Sequence, residues 1–475
     1  MATERVIALT GQQMEDNHLR ASEGKRRTFT KAEIEALDAT TWGDSDLLRD
    51  DGISFVSDGT SFKAVRSKSG YRCVILGDSF DVRCIPSATN LSSYGIWNLI
   101  NRLMGQKLEI VNVDAISGTG ALRFSGDNSY FERIQAGVFD YAPDYCLIRA
   151  SVNDSHEYTG QDMIAAYDEL FTMINNEGVH IITNTISPSN LHITNGVEYV
   201  SGRQEFNTWL LSKASNEFDM IVLDQADPLR LVDDVEARAD PVYVIDGTHP
   251  DLNGAMRLAK EAVKILAPNF LGASRINAAG SIGINDASVF CTNPINRGTG
   301  GTLFGDTTGH CPDNMQLGIQ NVVALTASAT TVARGFGKGN WFEVTAEVSA
   351  SGSQLQYSNN PIYVDLNAGV QVGDTISVMA EFAAPADGSG IFHPFIKVQL
   401  ADASNNLTAT VYDMQANSAH PPIGETDWVM VLRTVKVVIP VGTTKIMCQF
   451  GWTAGIAGAQ TVRYGRQMLI NHSRL

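Results

Sequence analysis

Between residues 70 and 270, short apolar runs alternate with stretches of helical periodicity, and this alternation constrains the fold more tightly than any other feature of the chain. The runs are "CVIL", "KLEIVN", "YCLIR", "VHIITNT" and "MIVLD", each closed by polar or small residues. Between them, "SSYGIWNLINRLMG" and "QDMIAAYDELFTMINNEG" space apolar residues by three and four (Met163, Tyr167, Leu170, Ile174) and end at glycine, as helices do. Continuous apolar strands separated by amphipathic helices predict a parallel sheet covered on both faces. In such a sheet, ligands bind at the carboxyl ends of the strands.

The flanks read differently, and the 475 residues divide into three regions, 1–69, 70–270 and 271–475. In the first, "TFTKAEIEALD" offers Thr30 as an N-cap with Glu33 three residues on, and "DDGISFVSDGTSFKAV" alternates around Asp-Gly turn signals like a small hairpin. An adaptor or oligomerisation segment is expected there. In the third region the helical signal disappears. "NWFEVTAEVSA" and "TKIMCQFGW" alternate with period two (Phe342, Val344, Ala346, Val348; Ile446, Cys448, Phe450, Trp452), which predicts an antiparallel β-sandwich or jelly roll. The glycine-rich "NRGTGGTLFGDTTGH" reads as a connecting arm, because no Gly-Lys-Ser/Thr follows it.

A formal charge of −17 argues against nucleic-acid and anionic-membrane partners, both of which would repel the chain. No run approaches the length of a membrane span, and "MATERVIALTGQQMEDNH" lacks the basic start and long apolar stretch of a secretory signal. Cytoplasmic synthesis is therefore expected. The six cysteines are scattered, with Cys73 and Cys146 inside strand-like runs, and buried free thiols are expected over disulfides. No metal-binding constellation and no cofactor motif is apparent.

The triplet Gly-Asp-Ser occurs twice. The copy ending at Ser45 has no strand before it and reads as a surface loop, whereas Ser79 follows "CVIL" at the carboxyl edge of the first parallel strand. A serine hydroxyl needs a base, and the base a carboxylate that fixes its tautomer. "VYVIDGTHPDLNGAMRLAKEA" supplies Asp246 and His249 three residues apart before a helix that Asp251 can cap. Attack on a carbonyl also builds an oxyanion that needs preorganised donors. "IVNVDAISGTGA" ends the second strand with Gly118, and "YCLIRASVND" ends the third with the side-chain amide of Asn153. A helix cap at Ser79, a turn at Asn153 and a polar connection at Asp246 and His249 are the structural alternatives, weakened because all these residues fall on one edge of the sheet.

In order and spacing, "GDSF", "SGTG", "SVND" and "DGTHP" resemble the four blocks of the SGNH (GDSL-type) esterases and lipases over residues 70–268. The resemblance implies a three-layer α/β/α, flavodoxin-like fold with a five-stranded parallel sheet. It implies Ser79 as nucleophile, His249 as base and Asp246 as its orienter, with the N–H groups of Ser79 and Gly118 and the Asn153 amide as the oxyanion hole. Ser151 departs from the family, which usually has glycine there, and Phe80 is expected either to wall the pocket or to pack.

The expected reaction is removal of O-acetyl groups from a bacterial capsule or O-antigen. The third region looks similar to carbohydrate-binding jelly rolls, where Trp452, Trp428, Tyr357 or Tyr363 would stack on sugar or belong to the core. The segment "WGDSDLLRDDGISFVSDGTSFKAV" resembles pieces that precede enzymes in phage tail fibres and tailspikes, which implies a homotrimeric virion component released by lysis. The alternatives are a non-phage polysaccharide acetylesterase, a short-chain lipase, and a glycan-binding adhesin whose esterase domain is degenerate.

Overall fold

The computed structural model describes residues 28–29, 46–49, 54–57, 62–65, 71–85, 95–123, 128–213, 220–230, 239–244, 246–270, 295–320, 325–334, 339–352, 354–359, 362–366, 369–386, 392–414, 427–455 and 457–474. Thr30, Glu33, Ser45 and Cys291 lie outside them. In the first region, Ser54–Ser57 pairs antiparallel with both Asp46–Arg49 and Phe62–Val65, the latter being the expected hairpin.

The five apolar runs form one parallel sheet: β1 (Tyr71–Gly77), β2 (Leu108–Ala115), β3 (Tyr145–Ile148), β4 (His180–Asn184) and β5 (Met220–Leu223). Their order is β2-β1-β3-β4-β5, the flavodoxin-like arrangement. Cys73 to Leu76 of β1 are fully buried, as a central strand covered on both faces requires. β2 is the exception, with six of its residues half-buried, because one side of this edge strand meets no further strand.

The helices are α1 (Ile96–Leu103), α2 (Tyr130–Gly137), α3 (Gly160–Asn176), α4 (Asn190–Asn195), α5 (Val197–Lys213) and α6 (Leu252–Leu266). α1 packs on α6, and α3 on α5. In α3, Met163, Tyr167, Leu170 and Ile174 are all fully buried, each stabilising by roughly 1.5–3 kcal/mol relative to exposure. Capping is local: Thr159 accepts from Asp162 N at the start of α3, and Asp251 accepts from Gly254 N at 2.7 Å at the start of α6.

From residue 295 onward the regular structure of the described chain is strand, in two seven-stranded sheets, apart from a closing 3-10 turn at His472–Arg474. The period-two residues meet between them: Phe342, Val344 and Ala346 from one sheet, Phe450 and Trp452 from the other, all fully buried. The five described cysteines are buried and free. No helix among the described residues is long and apolar enough to cross a membrane.

The two folded units touch through α1. Arg102 donates to Asp413 through Nη2 at 2.5 Å and Nε at 3.4 Å, both side chains being buried. Asp413 also accepts from Arg433 N at 2.7 Å, and Gln106 Nε2 donates to Val431 O at 2.8 Å. Beside these contacts a cleft of about 840 Å³ separates β2 from the strand Leu407–Asp413, itself the edge of its sheet. Removing one partner of a buried ion pair strands the other, so Asp413→Ala is expected to destabilise by roughly 3–5 kcal/mol. The check is a lowered calorimetric midpoint, with Asp413→Asn lying between the variant and the parent.

Candidate active site

Ser79 sits in a tight turn at the end of β1, where Asp81 N and Val82 N both donate to Asp78 O (3.0 and 3.1 Å) and Phe80 N to Asp78 Oδ1 (3.0 Å). Its Oγ lies 2.7 Å from His249 Nε2, and His249 Nδ1 lies 2.8 Å from Asp246 Oδ2. Asp246 is held by its own turn, Oδ1 accepting from Thr248 N at 2.9 Å and His249 N at 2.6 Å. Burial raises the Asp246 carboxyl, but these hydrogen bonds and the His249 ring outweigh it and hold the group below its ordinary value. Gly247 makes the turn possible: its φ is +80°, and a Cβ there would meet the Asn190 side chain at 3.0 Å.

Gly118 has φ +81°, the left-handed backbone that favours glycine. Among the described residues no group accepts the backbone N–H of Ser79 or of Gly118. The Asn153 amide donates to Thr119 O at 3.0 Å and Ser151 Oγ at 3.1 Å. Those two acceptors are 2.9 Å apart, and together they anchor the amide beside the end of β1. Ser79, Gly118, Asn153, Asp246 and His249 are thus brought to one edge of the sheet.

Ser151 is the hub that sequence reading left in doubt. Fully buried, its Oγ lies 2.7 Å from Asp78 Oδ2 and accepts from Asn153 N at 3.1 Å, while Tyr167 Oη accepts from its N–H at 2.8 Å. One hydroxyl therefore ties together the residue before Ser79, the residue after Gly118, and Asn153. Burial pushes the Asp78 carboxyl up to about 6, against the lowering effect of Arg149.

The frame beneath the turn is charged. Arg149, at the end of β3, donates to Asp81 through Nε (2.7 Å) and Nη2 (3.1 Å) and to Gln225 Oε1 (3.0 Å). Its guanidinium lies 4.9 Å from the Phe80 ring centroid, and that ring lies 5.0 Å from the His249 ring. Phe80 is 5% exposed, so it packs between the Arg149 guanidinium and the His249 ring rather than lining an open wall. Gly77 is required because a Cβ there would lie 2.3 Å from the Asp81 carboxylate. Asp154 braces the other side, accepting from Ala121, Leu122 and Arg123 N–H at 2.8, 3.1 and 2.7 Å. Of these frame residues Gly77, Phe80 and Asp154 fall within the "GDSF" and "SVND" blocks, whereas Asp81, Arg149 and Gln225 carry no motif signal. The one legible hint was Arg149 directly after an apolar run, since a buried guanidinium must find a carboxylate.

Two features need correction or separation. Trp452, expected as a sugar-stacking residue, is fully buried between the two sheets, as are Tyr357 and, at 5% exposed, Trp428; none presents a ring face to a ligand. A second serine and histidine pair, Ser155 Oγ and His192 Nε2 at 2.7 Å, lies close by, but both side chains are buried and the Ser155 hydroxyl donates to Val152 O at 2.7 Å. Its proton is already committed, so His192 is not positioned as its base.

Burial lowers His192 to about 2 and His156 to about 4. Both are neutral in the folded chain while the unfolded chain protonates near 6.5, so their stabilisation is complete above that pH and is lost as pH falls towards those lower values. Asp78 and Asp154, both raised to about 6 chiefly by burial, work in the opposite sense between about 6 and 4. His192→Gln should therefore flatten the acid-side fall of unfolding free energy by up to about 1.4 kcal/mol per pH unit between pH 6.5 and 4.5, measured by denaturant titration.

No family model matches the chain, and no curated protein matches it. Among solved structures it is similar to a GDSL-like lipase from Bacteroides thetaiotaomicron at 15% identity, over 42% of this chain and 89% of that one, with a TM-score of 0.33. A variant of an acetyl-xylooligosaccharide esterase from Geobacillus Stearmophilus matches at 17% identity, over 42% of this chain and 94% of that one, with a TM-score of 0.32. The enzymatically active domain of bacteriophage CBA120 tailspike protein 4 matches at 12% identity, over 33% of this chain and 19% of that one, with a TM-score of 0.24.

Proposed function

We propose that the chain is a serine esterase of the SGNH type that removes O-acetyl groups from a bacterial surface polysaccharide. The observation that carries this reading is the continuous line from Asp246 Oδ2 through His249 to Ser79 Oγ, at 2.8 and 2.7 Å, beside two backbone N–H groups that no described residue accepts. Asp246 holds the proton on His249 Nδ1 and leaves Nε2 to take the Ser79 proton as Oγ attacks the acetyl carbonyl. The oxyanion is received by the N–H groups of Ser79 and Gly118, with the anchored Asn153 amide as the third donor. His249 returns the proton to the departing sugar hydroxyl, and water repeats the sequence to free acetate from Ser79.

Support for a polymeric substrate is architectural. A β-sandwich is fixed to the esterase unit by a buried ion pair, and a cleft of about 840 Å³ runs along β2 between them. The tail-fibre resemblance of the first region extends the reading to a homotrimeric phage tail component, for which sedimentation of the full chain is the test.

Ser79→Ala is expected to abolish hydrolysis of p-nitrophenyl acetate with the fold retained, and a variant as active as the parent would refute the mechanism. Asn153→Ala should lose about 10²- to 10³-fold in kcat, as loss of one oxyanion donor does. Ser151→Gly removes an anchor of that donor and not the donor itself, so a smaller fall in kcat, about tenfold, with unchanged KM is expected. If Ser151 acts through Asn153, the double variant is no slower than Asn153→Ala. Acetate release across a panel of O-acetylated capsules and O-antigens identifies the sugar.

A further inference from the structure

We propose that the outer face of one sandwich sheet is a saccharide-binding track that leads to the esterase edge. The choice of ligand rests on the polysaccharide reading above, whereas the site rests on its own geometry.

Side chains alternate faces along a strand, so those pointing away from the buried Tyr357, Phe450 and Trp452 form rows across the outer face. Strand register places Gln316 opposite Ser358, Ser358 opposite Gln449, Gln449 opposite Lys397, and Lys397 opposite Tyr412. One row of polar side chains thus crosses five strands, roughly 19 Å at the usual strand spacing. At its start a groove of about 210 Å³ is lined by Phe304, Gln316, Gly318, Gln356, Ser358 and Gln449. Gly318 keeps it open, since a Cβ there would meet nothing closer than Phe304 Cβ at 4.0 Å.

The groove's chemistry selects hydroxyl groups. Gln449 Nε2 donates to Gln356 Oε1 at 2.6 Å and Gln316 Nε2 to Ser358 Oγ at 3.1 Å, an amide and hydroxyl floor without a carboxylate or guanidinium. Gln449 is 2% exposed, and its Oε1 accepts no hydrogen bond among the described residues. A buried acceptor left without a donor costs about 1–3 kcal/mol, which a ligand hydroxyl would relieve. Phe304, 49% exposed at the rim, offers a flat apolar surface to the C–H face of a sugar ring. At the far end of the row, Tyr412 lines the interdomain cleft together with Glu109 and Asn112 of β2, the strand that leads on to Gly118. A long, mostly uncharged chain fits this path better than a compact or anionic ligand.

The test applies the Ser79→Ala protein to an array of bacterial capsule and O-antigen polysaccharides, native and de-O-acetylated with base. Retention on at least one polysaccharide is expected to survive de-O-acetylation. Phe304→Ala and Gln449→Ala should each weaken it about tenfold, with the half-buried Gln316→Ala as a second variant should Gln449→Ala fold poorly. In protein that keeps Ser79, these substitutions should leave p-nitrophenyl acetate hydrolysis unchanged. Retention by no polysaccharide, or retention undiminished by Phe304→Ala and Gln316→Ala, overturns the proposal. So does an altered sedimentation state in Phe304→Ala, which would make this face an interface between copies of the chain. If Ser79→Ala still hydrolyses the small ester while the groove variants lose retention, the esterase reading fails and the saccharide track stands.

Discussion

The geometry at the sheet edge depends on one buried cation. Arg149 emerges from β3 beneath the turn that carries Ser79, where an unpaired guanidinium would be prohibitively costly. Asp81 answers it with both oxygens, and the Phe80 ring lies against it. That contact folds the turn after β1 over Gly77, where only glycine leaves room for the Asp81 carboxylate. The position of Ser79, and through it the reach to His249, follows from this packing. Such a pair is weak evidence for net stability, but breaking it would misplace the turn.

A second layer of hydrogen bonds links strand ends that are remote in sequence. Asp78, Thr119, Ser151 and Asn153 come from three strand ends and meet at one hydroxyl. A glycine at position 151 would leave the Asn153 amide with Thr119 O alone, so the serine adds an anchor. Asp78, Thr119 and Ser151 are fully buried and Asn153 half-buried, whereas the Asp246 and His249 side chains are 53% and 29% exposed.

The sandwich and the α/β unit meet through polar groups that are themselves buried, chiefly Arg102 with Asp413 and Gln106 with Val431 O. These contacts leave the edge strand β2 facing the edge strand Leu407–Asp413 across an open cleft. The polar row on the outer sandwich face ends at that same cleft, so one surface connects the two units.

The parallel sheet, the helices α1, α3 and α6 and the sandwich were legible in the sequence, chiefly through local periodicity: Met163, Tyr167, Leu170 and Ile174 repeat at helical spacing, and Phe450 and Trp452 at strand spacing; α5 was not, since its apolar residues form no clear stripe. The same period-two pattern places Trp452 on the core face, the alternative to sugar stacking that the sequence left open and that burial decides. Ser79, Gly118, Asn153, Asp246 and His249 could be singled out because strand ends converge by topology. The tertiary structure alone decided how Arg149 pairs with Asp81, how Ser151 joins three strand ends, which edge of the sheet faces the sandwich, and which polar row crosses its outer face. Those features arise between residues far apart in the chain, where burial and geometry, not local pattern, determine which partner each group finds.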